Sequence, residues 1–322
     1  MNLIVCGELA YDRILNFPGS FQEHILPDQI HKLSVSFFIE RLEERFGGGA
    51  GNIVYNLFLL GEEKKSFIVS SAGKDFNPYE RYLEKLGLAT TYIARQDRVN
   101  TAGAYMITDQ NNNQIAGFHL GAASFPSQFS FAQLPSFNPQ DTIFLFAPRN
   151  SKEDLQRYQK ECQQQGVRYL VDPGQTLPIF KKEELLAYLQ GASMLIVNDY
   201  ELQLVLDKTK LAEKELIAMT KILIITLGKK GSTIKTKDDI INIPACKACA
   251  VKDPTGAGDA YRAGLLKGLS QNLPLEHCGK IASLAATYAV EHYGTQEHNY
   301  TFAQFCERYQ ENFSEPCPLI QN

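Results

Sequence analysis

The amino-acid sequence predicts an α/β protein: a doubly wound, mostly parallel sheet with a small β-sheet lid. Three observations carry this expectation. Short, nearly unbroken apolar runs recur along the chain, as in strands buried on both faces of a parallel sheet. Between them lie stretches whose apolar residues repeat at helical spacing. Two regions, 13–45 and 99–120, break the alternation with β-like segments and polar loops.

In chain order, NLIVCGE (2–8) reads as the first buried strand. AGNIVYNLFLLG (50–61) reads as a helix with Ile53, Leu57 and Leu60 near one face. SFIVSSA (66–72) is the next strand, and PYERYLEKLG (78–87) a helix stopped by Gly87. Further strands are expected at TIFLFA (142–147), RYLVD (168–172), MLIVN (194–198) and ILIITLG (222–228). Helices are expected over 151–165, 182–190, 211–220, 257–271 and 275–292. Within the second irregular region, TAGAYMITD and QIAGFHL flank the polar turn DQNNNQ (109–114) and read as a hairpin. The organisation that follows is a main α/β domain of residues 1–12, 46–98 and 121–322, with a lid of 13–45 and 99–120. A lid on flexible connections excludes water from a reacting phosphate.

The chain's 322 residues suit one large α/β domain or a domain with an insertion. A net charge of −4 gives no general attraction for nucleic acid or anionic membrane, so an anionic ligand must be held locally. The N-terminus has no basic region leading into a long apolar one, and no run is long enough to span a bilayer. Seven cysteines without framework spacing point to a reduced setting, and a cytoplasmic location is expected. Cys246 and Cys249 form a C-x-x-C pair, but no second pair or histidine cluster completes a zinc site, so a structural role is preferred.

The chemistry concentrates in five motifs. DPTGAGDAYRAG (253–264) sets Gly256, Ala257 and Gly258 at the start of a helix, directly before Asp259. Glycines admit a close ligand, and the first-turn amides at the positive helix end suit a phosphate. The same positive end should keep Asp259 ionised, ready to accept a proton from an alcohol. A capped helix start is the plain alternative. FGGGAGNIVYN (46–56) lacks the lysine-serine pair of a Walker loop; Gly48 lets a polyol approach, and Asn52 offers a donor and an acceptor. A tight loop explains this motif equally well. Asp12, after the first strand, suits a pair of sugar hydroxyls, or is a solvated loop acid. NDYE (198–201) places Asn198 and Glu201 on one helical face, fit for a hydrated Mg²⁺ or for an ordinary helix start. TLGKKGS (226–232) brackets a turn with Gly228 and Gly231, while Lys229 and Lys230 fit solvated turn charges.

At these residues the chain resembles the ribokinase (PfkB) family of small-molecule kinases, over nearly its whole length. GGGAGN (47–52) and DPTGAGDAYRAG resemble the two family signatures, NDYE the NxxE element, and TLGKKG the nucleotide-binding turn. FPGSFQEHILPDQIHKLSVSF (17–37) and GTQE (294–297) are similar to bacterial adenosine kinases within the family. The resemblance implies a ribokinase-like fold and ATP-dependent phosphorylation of a nucleoside, adenosine first, at its 5′-hydroxyl. It implies that Asp259 is the catalytic base and that Gly256, Ala257 and Gly258 form the anion hole. Asp12, Gly48 and Asn52 would hold the ribose, Phe118 would stack on the purine, and Gln175 would sit near the substrate. Asn198, Thr226, Gly228 and Gly231 would serve ATP, and Glu201 the Mg²⁺ shell. Ser36 would reach a partner subunit's site in a homodimer joined through the lids, and a monovalent cation such as K⁺ accompanies the anion hole in many members. Two positions depart from the pattern. Glu8 stands where a small hydroxyl residue contacts the nucleoside, and Ala104 where a second aromatic would sandwich the base. A sugar such as ribose or fructose is the alternative acceptor; a non-catalytic ligand-binding protein is the alternative class.

Overall fold

Leu3, Ile4, Val5 and Cys6 are wholly inaccessible to solvent, as a strand apolar on both faces requires. They form β1 (Asn2–Cys6), which leads through three residues into β2 (Ala10–Asn16). A one-turn helix α1 (Phe21–His24) and an irregular stretch precede β3 (Arg41–Gly47). Next come α2 (Gly49–Leu59), β4 (Ser66–Gly73), α3 (Asn77–Lys85) and β5 (Ile93–Gln96), then the hairpin β6 (Ala102–Thr108) and β7 (Gln114–His119). The second half runs β8 (Thr142–Phe146), α4 (Lys152–Gln165), β9 (Arg168–Val171), α5 (Lys182–Leu189), β10 (Met194–Asn198), α6 (Asp199–Thr209), α7 (Glu213–Thr220) and β11 (Leu223–Thr226). It closes with β12 (Ser232–Lys235), β13 (Ile240–Ile243), α8 (Ala257–Ser270), α9 (Leu275–Val290) and α10 (Phe302–Phe313). This computed structural model describes residues 1–111 and 113–320; Asn112, in the expected hairpin turn, and residues 321–322 lie outside the description.

Nine strands form one sheet in the order β13-β12-β11-β10-β9-β8-β1-β4-β5, parallel except for β12 and β13 at one edge. The chain winds outward from β1 to β4 and β5, then returns to place β8 on the other side of β1. The order therefore reverses between β1 and β8, and ligand crevices form outside the carboxyl ends of strands at such a switch. The pleat sends alternate residues to opposite faces. Leu3 and Val5 pack with Ile53 and Leu57 of α2 and Leu265 of α8. Ile4 and Cys6 pack with Phe144, Phe146, Leu155 of α4 and Leu185 of α5. Among the described residues, no helix is long and apolar enough to cross a membrane.

The expected strands and helices appear, with ends shifted by at most two residues. Five elements were not expected. α6 follows directly on β10, and α10 lies beyond the last predicted helix. β5, β12 and β13 have only four residues each, too few for a pattern to register.

The second sheet has four strands in the order β3-β2-β6-β7, with β2 and β6 parallel and the outer pairs antiparallel. The hairpin turn is built on Asp109, whose Oδ1 accepts from the amides of Asn111 and Asn113 at 2.9 Å each. The small sheet begins at Ala10 and ends its second strand at Gly47. The expected boundaries at residues 12 and 46 therefore fall inside strands: only Gly7, Glu8 and Leu9 separate β1 from β2, so Asp12 rides on the small sheet.

Phe144→Ala would open a cavity between Phe146, Phe129 and Tyr158. We expect a loss of about 3–5 kcal/mol, read as a lowered midpoint in chemical denaturation.

Candidate active site

Gly256 adopts φ +80°, in the left-handed region, and caps α8 so that Asp259 falls in its first turn. The Ala257 amide closes the turn onto the Pro254 carbonyl at 3.3 Å. Amides of this first turn have no partner within the helix and mark its positive end.

The Asp259 carboxylate is held from the other glycine motif. Asn52 Nδ2, in the first turn of α2, donates to Asp259 Oδ2 at 2.9 Å. Asn52 Oδ1 accepts from Gln296 Nε2 at 3.0 Å. Gln296 Nε2 also donates to Tyr79 Oη at 2.8 Å, and Tyr79 Oη donates to the Gly47 carbonyl at 3.0 Å. The chain of bonds thus returns to the loop that precedes Asn52. Gly48 has φ +85°, and a β-carbon there would lie 2.6 Å from both Ala10 N and Glu8 O. Gly47 leaves room for Asp12, whose Oδ2 would be 2.5 Å from an added β-carbon.

Arg45, Asp12, Ala104 and Phe118 stand opposite one another across the small sheet, so their side chains share a face. Asp12 interacts electrostatically with Asp259, which turns that face toward α8. Phe118 is 77% exposed on the same face. Burial pushes the Asp12 carboxyl up to about 6; the Asp259 and Asp253 charges add to the rise, and Arg45 opposes it. Asp259 is raised as well, by burial, against the Arg262 charge and the Asn52 hydrogen bond. Burial thus works against the positive helix end, while the Arg262 charge and the Asn52 hydrogen bond work with it.

Glu8 is buried, and its Oε1 accepts from Asn150 N at 3.0 Å and Asn150 Nδ2 at 2.5 Å. Burial raises its carboxyl, with Asn150 and Arg149 opposing. It thereby ties the end of β1 to the end of β8, at the switch point. Asn198 and Thr226 are neighbours at the ends of β10 and β11. The NDYE motif forms a reciprocal cap: Asn198 Oδ1 accepts from Glu201 N at 2.7 Å, and Glu201 Oε2 accepts from Asn198 N at 2.8 Å. That cap explains the spacing by itself. Gly228 and Gly231 both have positive φ, and Gly231 presses against the Ile243 carbonyl, where no β-carbon fits. Ser36 and Gln175 are exposed and, among the described residues, donate or accept no hydrogen bond into the cluster. Among those residues no group of three or more His, Cys, Asp or Glu is arranged to hold a metal ion. Cys246 is buried, Cys249 exposed, and both are free; burial pushes the Cys246 thiol up to about 11, far from a reactive thiolate.

Sequence reasoning missed Arg262, Asp172, Tyr79, Gln296 and Asn150. Asp172 and Arg262 form a buried ion pair below the glycine turn. Arg262 did leave a signal, as a charge inside the apolar stretch AYRAGLL. Asp172 ends a buried strand. Gln296 lies in the GTQE segment but gave no sign of its contact with Asn52; Tyr79 and Asn150 are brought in from distant segments and left no signal.

A glycine turn opening a helix beside a buried carboxylate, at the switch point of a parallel sheet and beneath a small antiparallel-edged one, defines the ribokinase-like class of small-molecule kinase folds. The chain belongs to the pfkB family of carbohydrate kinases, whose family model matches residues 5–301. It is similar to the nucleoside kinase of Methanocaldococcus jannaschii, 32% identical over 96% of this chain and 97% of the relative. The Burkholderia thailandensis nucleoside kinase, solved in complex with inosine, superposes with a TM-score of 0.83 at 34% identity, covering 98% of this chain and 99% of that one. A second structure of that enzyme holds ADP and inosine, with a TM-score of 0.81 at 36% identity over 98% and 97% of the two chains. The ribokinase of Thermotoga maritima shares the fold, with a TM-score of 0.76 at 19% identity over 97% and 100%.

Two outcomes are expected. The folded state raises the Asp12 pKa from 3.8 to about 6, so it binds the proton more tightly than the unfolded chain does. That contribution to stability is present below pH 4 and lost as pH rises through 6. Asp12→Asn should therefore melt higher than the parent at pH 7.5, with the gain shrinking below pH 6 and gone by pH 4, read by thermal denaturation across pH. Gln296→Ala removes the link between Asn52 and Tyr79 and should lower kcat/KM about tenfold, with a melting shift of only a few degrees.

Proposed function

We propose that this chain is an ATP-dependent nucleoside kinase that phosphorylates the 5′-hydroxyl of a purine nucleoside, adenosine first. The observation that carries the reading is the Asn52–Asp259 hydrogen bond. It joins the loop suited to a sugar to the carboxylate suited to take its proton. The inosine-bound relative and its ADP complex support a nucleoside acceptor and a nucleotide donor.

In this reaction Asp12 and Asn52 hold the ribose hydroxyls against the Gly48 backbone, and Phe118 stacks on the base. The acceptor hydroxyl lies next to Asp259. As the γ-phosphoryl moves in line, Asp259 takes the hydroxyl proton, and the amides of Gly256, Ala257 and Gly258 stabilise the equatorial oxygens. Asn198, Thr226, Gly228 and Gly231 bound the nucleotide. Mg²⁺ fits the donor set: it keeps most of its waters and takes few protein ligands, and Glu201 has a carboxylate oxygen beyond the one engaged in the helix cap. When bound, it neutralises phosphate charge. Glu8, already holding Asn150, places a carboxyl at the nucleoside end of the cleft.

Leu42, Leu15, Ile107 and Ile115 stand opposite one another across the small sheet, on the face away from Asp12. Leu42 is 63% and Ile115 42% exposed. This apolar row supports a homodimer joined lid to lid, with Ser36 near the seam; light scattering of Leu42→Lys against the parent checks it. Residence in the cytoplasm accords with this chemistry, since ATP is the donor.

A panel of adenosine, inosine, ribose and fructose in an ADP-release assay tests the acceptor. The expected order puts the nucleosides first; ribose or fructose ahead of both would move the reading to a sugar kinase. Repeating it with Mg²⁺ chelated, and with K⁺ exchanged for Na⁺, reads both ions. Asp259→Asn should lower kcat about 10²–10⁴-fold with nucleoside affinity nearly intact, and a turnover near the parent's would remove Asp259 from its role.

A further inference from the structure

We infer that Arg262 is a positioning residue: it supplies the counter-charge that lets Asp259 ionise in the working pH range, while Asp172 pins its guanidinium clear of the base. The inference rests on Asp259 being the base.

Arg262 lies on α8, three residues beyond Asp259, so the two share a helix face. Its side chain is 12% exposed, and its Nε is ion-paired with Asp172, which is wholly buried at the end of β9. A β-carbon on Gly258 would collide with Arg262 Nη1, so the guanidinium lies directly against the α-carbon of the glycine turn. The charged surroundings of Asp259 come from several elements. Asp12 approaches from β2, itself flanked by Arg45 and Asp253. Asp172 approaches from the end of β9, and Glu201 on α6 acts on both Asp172 and Arg262. From α2 comes only the uncharged Asn52. Among the described residues, Arg262 is the cation that acts on Asp259.

A buried carboxyl with carboxylate neighbours stays protonated to higher pH, and a protonated Asp259 cannot accept the hydroxyl proton. A nearby cation reverses this. A direct two-pronged pair between Arg262 and Asp259 would overdo it, because it would make the carboxylate a poor base and occupy its oxygens. The structure avoids that by engaging Arg262 Nε with Asp172. Arg262 then acts on Asp259 through space, and Asp259 Oδ2 takes its hydrogen bond from Asn52.

The test is the acid limb of kcat/KM against pH, measured as a difference from the parent so that ATP's own titration cancels. Arg262→Met should move the limb up by about one unit or more. Arg262→Lys should restore most of the shift. Asp172→Asn should move the limb the opposite way, because it removes a negative neighbour and leaves Arg262 to Asp259 alone. A residue with only a packing role would not give shifts of opposite sign. Should Arg262→Met fail to fold, with Asp172 left unpaired, the direction of the Asp172→Asn and Arg262→Lys shifts decides. A limb unmoved in the folded variants, or moved the same way by Arg262→Met and Asp172→Asn, overturns the inference. Asp259→Asn separates the two readings. If it stays active, the base assignment itself fails; if it is inactive while the limbs stay put, only the role of Arg262 fails.

Discussion

A carboxylate set where burial favours its protonated form is the constraint around which this molecule is arranged. Asp259 is half-buried and has Asp12 and Asp172 as electrostatic neighbours. Burial pushes its titration upward. Three features oppose this: the positive end of α8, the Asn52 amide and the Arg262 guanidinium. Each comes from a different part of the architecture. The helix end depends on Gly256, the amide on the glycine loop before α2, and the guanidinium on a strand end that supplies Asp172.

The sheet topology makes this convergence possible. Parallel strands present all their carboxyl ends at one edge, and the reversal between β1 and β8 opens a crevice there. The short link from β1 to β2 then carries Asp12 over the same edge on a second sheet. Gly48 is the tightest point of this crossing. Its positive φ and the backbone atoms of Glu8 and Ala10 around it leave no space for a side chain. The Gly47 carbonyl beside it is the acceptor through which Tyr79 and Gln296 brace Asn52. Two adjacent glycines thus fix the approach of the small sheet and the aim of the amide that reaches the carboxylate.

Much of this was legible in the sequence, for a physical reason. Buried parallel strands are nearly all apolar, so NLIVC, TIFLF and MLIVN announce themselves, and glycine-rich helix starts are local signals. What stayed hidden depends on pairing between distant segments. STIK is a strand because β11 offers it an edge, and IINI because β12 then offers the next, not because of their own pattern. Asp12 read as the end of a main-domain segment, because nothing local shows that the chain pairs at once with residues 41–47 and 102–108. The NDYE motif is instructive in the other direction: its regular spacing is that of a reciprocal helix cap, so the cap alone would preserve it. Gln296 sits more than two hundred residues from the asparagine it orients.

The same arrangement bears on how a triphosphate could enter. Asp12 and Asp172 both couple electrostatically to Asp259, and Glu201 to Asp172, with Arg262 engaged by Asp172. Ionised acids gathered in this way repel bare phosphate oxygens at close range. Two routes remain in the proposed reaction. Backbone amides at the α8 terminus present partial positive charge without a lysine beside the base that would pair with it. A divalent cation travelling with the nucleotide cancels charge that the protein does not. In the proposed reaction, the acids around Asp259 would therefore also favour a metal-complexed donor over a free one. Both properties follow from gathering acids at the strand ends, where hydroxyl groups of a sugar are best held.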